Sequence, residues 1–203
     1  LKGYQKKFGS EVVLSDNKIK AEVLYNKYDI FKSLFSWYLY AGVLLFIVLI
    51  VQIFNYKKWI KFIVNTLKFS ILALFIIHTV GLIARWFISG HAPWSDAYES
   101  MIYVAWATMF FGLIFGRKSD ITISATAFVS SMILMIAHWN WLDPAIANLQ
   151  PVLNSYWLMI HVAVIVGSYG PFALSMIIGI ISLFLIVLTL SLIHISEPTR
   201  RVR

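Results

Sequence analysis

Imidazole, indole, phenol, guanidinium and carboxylate groups gather in one short stretch of this chain, Arg85-Trp86-Phe87-Ile88-Ser89-Gly90-His91-Ala92-Pro93-Trp94-Ser95-Asp96-Ala97-Tyr98-Glu99-Ser100. Gly90 and Pro93 interrupt a helix, and Asp96 with Glu99 three residues on reads as a capping box that opens the next one. An imidazole nitrogen can hold haem iron, and axial ligation needs one or two such groups. The histidines available for this are His78, His91, His138 and His161, with His194 set aside for a reason given below. For any one of them the plainer reading is a polar residue at a wet boundary. Arg85 has two readings, a bidentate clamp for a haem carboxylate or a side chain snorkelling to an interface. His78 and His91 stand thirteen positions apart, a spacing found on the helices of di-haem b-type cytochromes. That makes a membrane electron-transfer subunit the alternative, although Gly90 and Pro93 break the helix beside His91. A third reading is a transporter of another amphipathic solute.

Such side chains need elements to carry them to a rim, and the rest of the chain supplies long apolar ones. Of 203 residues, 60% are hydrophobic and 13% charged, where soluble domains hold about 45–50% and roughly 25%. The mean hydropathy is +0.80. Apolar stretches run from Phe35 to Phe54, Phe62 to Ile88, Ser100 to Phe115, Ile121 to Ala137, and Trp157 to about Leu188. About twenty residues cross a hydrocarbon core of roughly 30 Å. The expectation is an all-α membrane protein, a bundle of about five transmembrane helices with a short polar N-terminal segment. With no cysteine, disulfides, thiol redox chemistry and thiolate metal ligation are excluded within the chain.

The charge of +8 does not point to nucleic acid, because the basic residues flank apolar runs. Lys57, Lys58, Lys61 and Lys68 border one connection and Arg117 and Lys118 the next but one, whereas 89–99 and 138–156 hold neither Lys nor Arg. The positive-inside rule then makes the basic connections cytoplasmic. His91, His138 and His161 then fall at or near the outer face of a multi-pass membrane protein, and His78 within the second span. Tryptophans 86, 94, 139, 141 and 157 lie near outer boundaries, as an aromatic belt or as a grip on a flat ligand. Residues 1–33, with alternating stretches at 11–14 and 21–25, read as the tail of a water-exposed domain. The start has neither initiator Met nor signal peptide, as expected for a piece of a longer protein. Leu190-Ser191-Leu192-Ile193-His194-Ile195-Ser196-Glu197-Pro198-Thr199-Arg200 is similar to a translated sequencing adapter, so 190–203 is expected to be read-through.

Two stretches carry a family resemblance. Arg85-Trp86, Gly90-His91-Ala92-Pro93, Ser95 and Tyr98-Glu99-Ser100 resemble a motif segment of the CcsA/ResC-like cytochrome c assembly proteins, the haem-handling membrane proteins of system II. Leu149-Gln150-Pro151-Val152-Leu153-Asn154-Ser155-Tyr156-Trp157-Leu158-Met159-Ile160-His161-Val162 resembles a second segment of the same family. The resemblance covers roughly 60–189 as the N-terminal part of the assembly domain. Residues 34–59 form a span and cytoplasmic linker, and 1–33 resemble the end of a CcsB/ResB-like partner fused upstream. The resemblance implies that the parent protein, a cytochrome c synthetase of haem lyase type, binds haem b at the outer face. There it presents the haem for thioether attachment to the Cys-x-x-Cys-His motif of an apocytochrome c. It implies His161 as an axial iron ligand, with His91, Arg85, Trp94 and Trp157 as further candidates for haem contact. The family's tryptophan-rich segment, second external ligand and further transmembrane histidine have no counterpart in this sequence, so the piece alone is expected to be inactive.

Overall fold

A computed structural model describes residue 3, residues 15–139, 142–146 and 155–196, without the side chains of 118 and 190–196. Helix α1 spans Asp16–Tyr28, α2 Ile30–Phe54, α3 Lys58–Ser89, α4 Ala97–Phe115, α5 Asp120–His138 and α6 Tyr156–Ser196. Among the described residues there is no strand. Five helical segments are long and apolar enough to cross a membrane, as the apolar runs require. The helices outlast those runs: α3 begins at Lys58, where the hydropathy begins at Phe62, because lysine favours helix while disfavouring lipid.

Each boundary has a local cause. Ser15 caps α1 by accepting from the Lys18 amide. Asp29 takes a left-handed conformation, φ 38°, a region that asparagine and aspartate enter more readily than most residues, and it separates α1 from α2. The alternating stretch at 21–25 therefore lies on a helix that runs almost directly into a span, whereas 11–14 lies outside the described residues. Gly90, with φ 76°, closes α3 by donating its amide to Trp86 O at 2.9 Å, the usual C-terminal role of glycine. The adapter-like tail continues α6 to Ser196, and 197–203 lie outside the described residues.

The bundle packs through small residues. A Cβ on Gly42 would sit 3.0 Å from the Phe128 amide, and one on Gly170 2.6 Å from that of Thr108. Close backbone approach of this kind drives helix association where lipid removes the hydrophobic term. Ser124 Oγ donates to Gly42 O at 2.9 Å, tying α5 to α2, and Ser130 Oγ to Ala105 O at 3.0 Å, tying α5 to α4. Phe31, Leu34, Tyr38, Leu45, Ile71, Ile102, Met109 and Leu134 fill the core. Helix α6 is the least covered, with 6% of its most apolar window buried against 50% in α4 and α5. Most of its surface is free to meet lipid or more protein.

Candidate functional site

Arg85, in the last turns of α3, is wholly buried. Its Nε donates to Glu99 Oε1 at 2.8 Å, and its Nη2 lies 3.6 Å from Asp96 Oδ2. Nη1 donates to Pro144 O at 3.0 Å and to the Tyr25 hydroxyl at 3.4 Å, and Nη2 to Ala145 O at 3.3 Å. The Tyr98 ring lies 5.0 Å from the guanidinium carbon. One guanidinium thus joins α1, α3, the start of α4 and the 142–146 connection. It neither snorkels outward nor has a donor turned to an open surface.

Glu99 binds the other side of the same turn. Its Oε2 accepts from the Ser95 amide at 3.0 Å, and Asp96 Oδ1 accepts from the Glu99 amide at 2.6 Å. This is a capping box shifted by one residue, since the glutamate reaches past the cap to Ser95. Burial pushes the Asp96 carboxyl above its ordinary range, against the pull of that bond. His91 is held with Nδ1 3.2 Å from Ala92 O and 3.8 Å from Glu99 Oε2. Ser89 and Ser95 donate their hydroxyls to His91 O and Ala92 O at 3.0 and 2.8 Å. Trp94 leaves the turn toward α6 and donates Nε1 to Met159 O at 3.2 Å, with its ring 4.9 Å from that of Tyr103.

Arg85, His91 and Trp94 therefore belong to one bonded unit. His161 and Trp157 do not. They stand one helical turn apart on the other face of α6, both exposed. With Leu158, Ile160 and Val164 they border an open space of about 560 Å³. Among the described residues no side chain is bonded to the His161 ring, and no group of three or more metal-ligating side chains forms. Among the described residues, a single imidazole borders this space.

The remaining histidines are structural in placement. His138 Nδ1 lies 3.1 Å from Leu134 O, and its Nε2 3.6 Å from Asp29 Oδ1. His78 is 0% exposed, its Nε2 lies 3.1 Å from Ile102 O, and its ring packs edge-on against Phe31. A porphyrin could not approach it without displacing that packing, which weighs against the di-haem alternative, in which His78 is one of the ligands. Trp141 and the first six residues of the second motif, 149–154, lie outside the described residues. The Tyr25 hydroxyl and the Pro144 and Ala145 carbonyls carry no signal in the sequence, where Glu99 reads only as a cap partner. Nothing in local spacing connects such distant groups.

These features define a multi-pass membrane protein with a buried, hydrogen-bonded polar cluster at one end of an apolar bundle. The residue pattern of the cytochrome C assembly protein family matches residues 94–197, about half of the chain, and the chain belongs to that family. Over 190 residues, 91% of this chain, it is 41% identical to Protein NrfI of Wolinella succinogenes. It is 31% identical over 112 residues, 53% of the chain, to the cytochrome c biogenesis protein CcsA of Prochlorococcus marinus, and 29% over 169 residues, 77% of the chain, to that of Guillardia theta. The chain spans 20% of NrfI, 35% of the Prochlorococcus protein and 55% of the Guillardia protein. Membership ties it to cytochrome c biogenesis, in line with the sequence resemblance.

Proposed function

We propose that this chain is part of a system II cytochrome c synthetase and holds haem b at the outer face of the membrane for transfer to an apocytochrome c. Haem is the substrate in this reading. The observation that carries it is the placement of His161. An exposed imidazole with no bonded side-chain partner among the described residues borders an open space of about 560 Å³ beside Trp157, at the bundle end that also holds the His91 turn. A porphyrin needs an iron ligand and a flat apolar bed, and His161 with Trp157, Ile160 and Val164 fits one face of it. The opposite face, a second axial ligand and the CcsB/ResB-like partner would complete the site. Once anchored through His161, the porphyrin presents its vinyl groups in fixed directions to the thiols of a Cys-x-x-Cys-His motif, so attachment gains from proximity. Each thiol adds across a vinyl: sulfur bonds one carbon and the thiol proton ends on its neighbour.

Arg85, His91 and Trp94 act as positioning residues. Arg85 has its donors committed to Glu99 and to backbone carbonyls, so it secures the outer connections and leaves propionates to other cations. Trp94 secures the first turns of α6 through Met159 O, which fixes the direction of His161. The basic connections face the cytoplasm by the positive-inside rule, which sets this end on the periplasmic side.

Haem titration of the purified chain tests the ligand. The Soret band of the bound form is expected to weaken at least tenfold in apparent affinity in His161→Ala, with recovery on added imidazole, and to weaken only severalfold in Trp157→Ala. An identical titration curve for wild type and His161→Ala rejects the assignment.

A further inference from the structure

At the basic end of the bundle a groove of about 590 Å³ opens sideways between α3 and α4, lined in part by Lys68, Phe69, Leu72, Phe110, Ile114 and Arg117. It exists because α3 packs on α4 far less than α4 packs on α5 or α6. Phe75 and Phe110, with ring centroids 6.5 Å apart, close it toward the membrane interior. Its mouth is strongly cationic. Arg117 and Lys68 line it, Lys57, Lys58 and Lys61 are exposed at the same end of the bundle, and among the described residues the only carboxylate at this end is Asp120, bonded to Lys68 Nζ at 2.6 Å. The groove therefore pairs an apolar slot at hydrocarbon depth with cations at headgroup depth.

We propose that this groove binds one anionic phospholipid, an acyl chain lying along Phe69, Leu72 and Ile114 and the phosphate meeting Arg117 and Lys68. Basic pockets between spans on the cytoplasmic side attract such headgroups. The other flat or elongated anion to consider is the porphyrin, and the groove does not suit it: none of its lining residues offers an imidazole, thioether, thiolate or phenolate to iron. The lipid fills the gap between α3 and α4 beside the Phe75–Phe110 contact.

Native mass spectrometry of the purified full chain, with phosphatidylglycerol and phosphatidylcholine at equal concentration, tests this. One phosphatidylglycerol should be retained in preference. Arg117→Gln should lower its retention about fivefold, the effect of one cation near the headgroup plane. Ile114→Trp fills the slot without touching charge and should lower it too. Lys57→Gln removes a cation outside the groove and should change retention less than twofold. Equal retention of the two lipids overturns the proposal, as does a loss in Arg117→Gln no greater than in Lys57→Gln, or haem displacing the lipid one for one. Arg117 and Lys57 are both exposed, so that comparison stands even if the tryptophan variant does not fold.

Discussion

Arg85 is charged, fully buried and bonded at every nitrogen, and that combination sets what its loss would do. Removing one member of a buried pair leaves the other charge without compensation, at a cost of about 3–5 kcal/mol. Arg85→Met is therefore expected to lower unfolding stability by about that amount, measured by denaturant titration in micelles. The double variant Arg85→Met with Glu99→Leu should recover most of it, since both charges then leave the interior. Arg85→Lys separates charge from geometry. An ammonium keeps the ion pair but cannot reach Glu99 and two carbonyls at once, so amide exchange in 142–146 should accelerate while global stability falls less. None of this was legible in the sequence, because Tyr25, Glu99, Pro144 and Ala145 are separated from Arg85 by 14 to 60 residues. The turn around it was legible, since Gly90, Pro93, Asp96 and Glu99 act over a few positions. So was the shared face of Trp157 and His161, which follows from their spacing of four. Which way that face points was not, because the packing of α6 on α4 and the bond from Trp94 to Met159 O set it between residues far apart in sequence.

Among the elements, α6 is anchored near its start and bare beyond. Its contact with α4 depends on Gly170, whose hydrogen stands where a methyl would press on the Thr108 amide at 2.6 Å. Gly179, nine residues on, has nothing within 4 Å of the same position. Gly170→Ala should therefore destabilise the bundle by about 1–3 kcal/mol through overpacking against backbone that cannot yield. Gly179→Ala should be neutral or stabilising by about 0.5–1 kcal/mol through helix propensity alone. Thermal unfolding of the two variants side by side distinguishes the effects, and Gly170→Ala should also loosen haem binding if α6 carries the ligand. Apolar run length located all five spans because bilayer thickness fixes it. It could not mark helix ends, which capping and propensity set, nor show that two glycines on one helix have opposite importance.

For the molecule as a whole, the distribution of charge is a statement about direction. Lysines 57, 58 and 61 and Arg117 lie at one end, while the Arg85–Glu99 pair, the His91 turn and His161 lie at the other, where the only described arginine is neutralised by its own partners. In the proposed orientation, translocation of the 90–96 and 139–155 connections carries no lysine or arginine across the hydrocarbon, the lysines of α1 crossing with the N-terminal segment, and the basic end faces the cytoplasm. The complete lack of cysteine makes this directly measurable, since a single introduced thiol reports its own side of the membrane. Asp143→Cys, in an exposed position at the His91 end of the bundle, should react with a membrane-impermeant maleimide added to intact spheroplasts. Lys57→Cys should react only after permeabilisation. The opposite labelling pattern would put His161 on the cytoplasmic side, away from any apocytochrome being matured outside, and would remove the basis for haem presentation while leaving the helical bundle as it is.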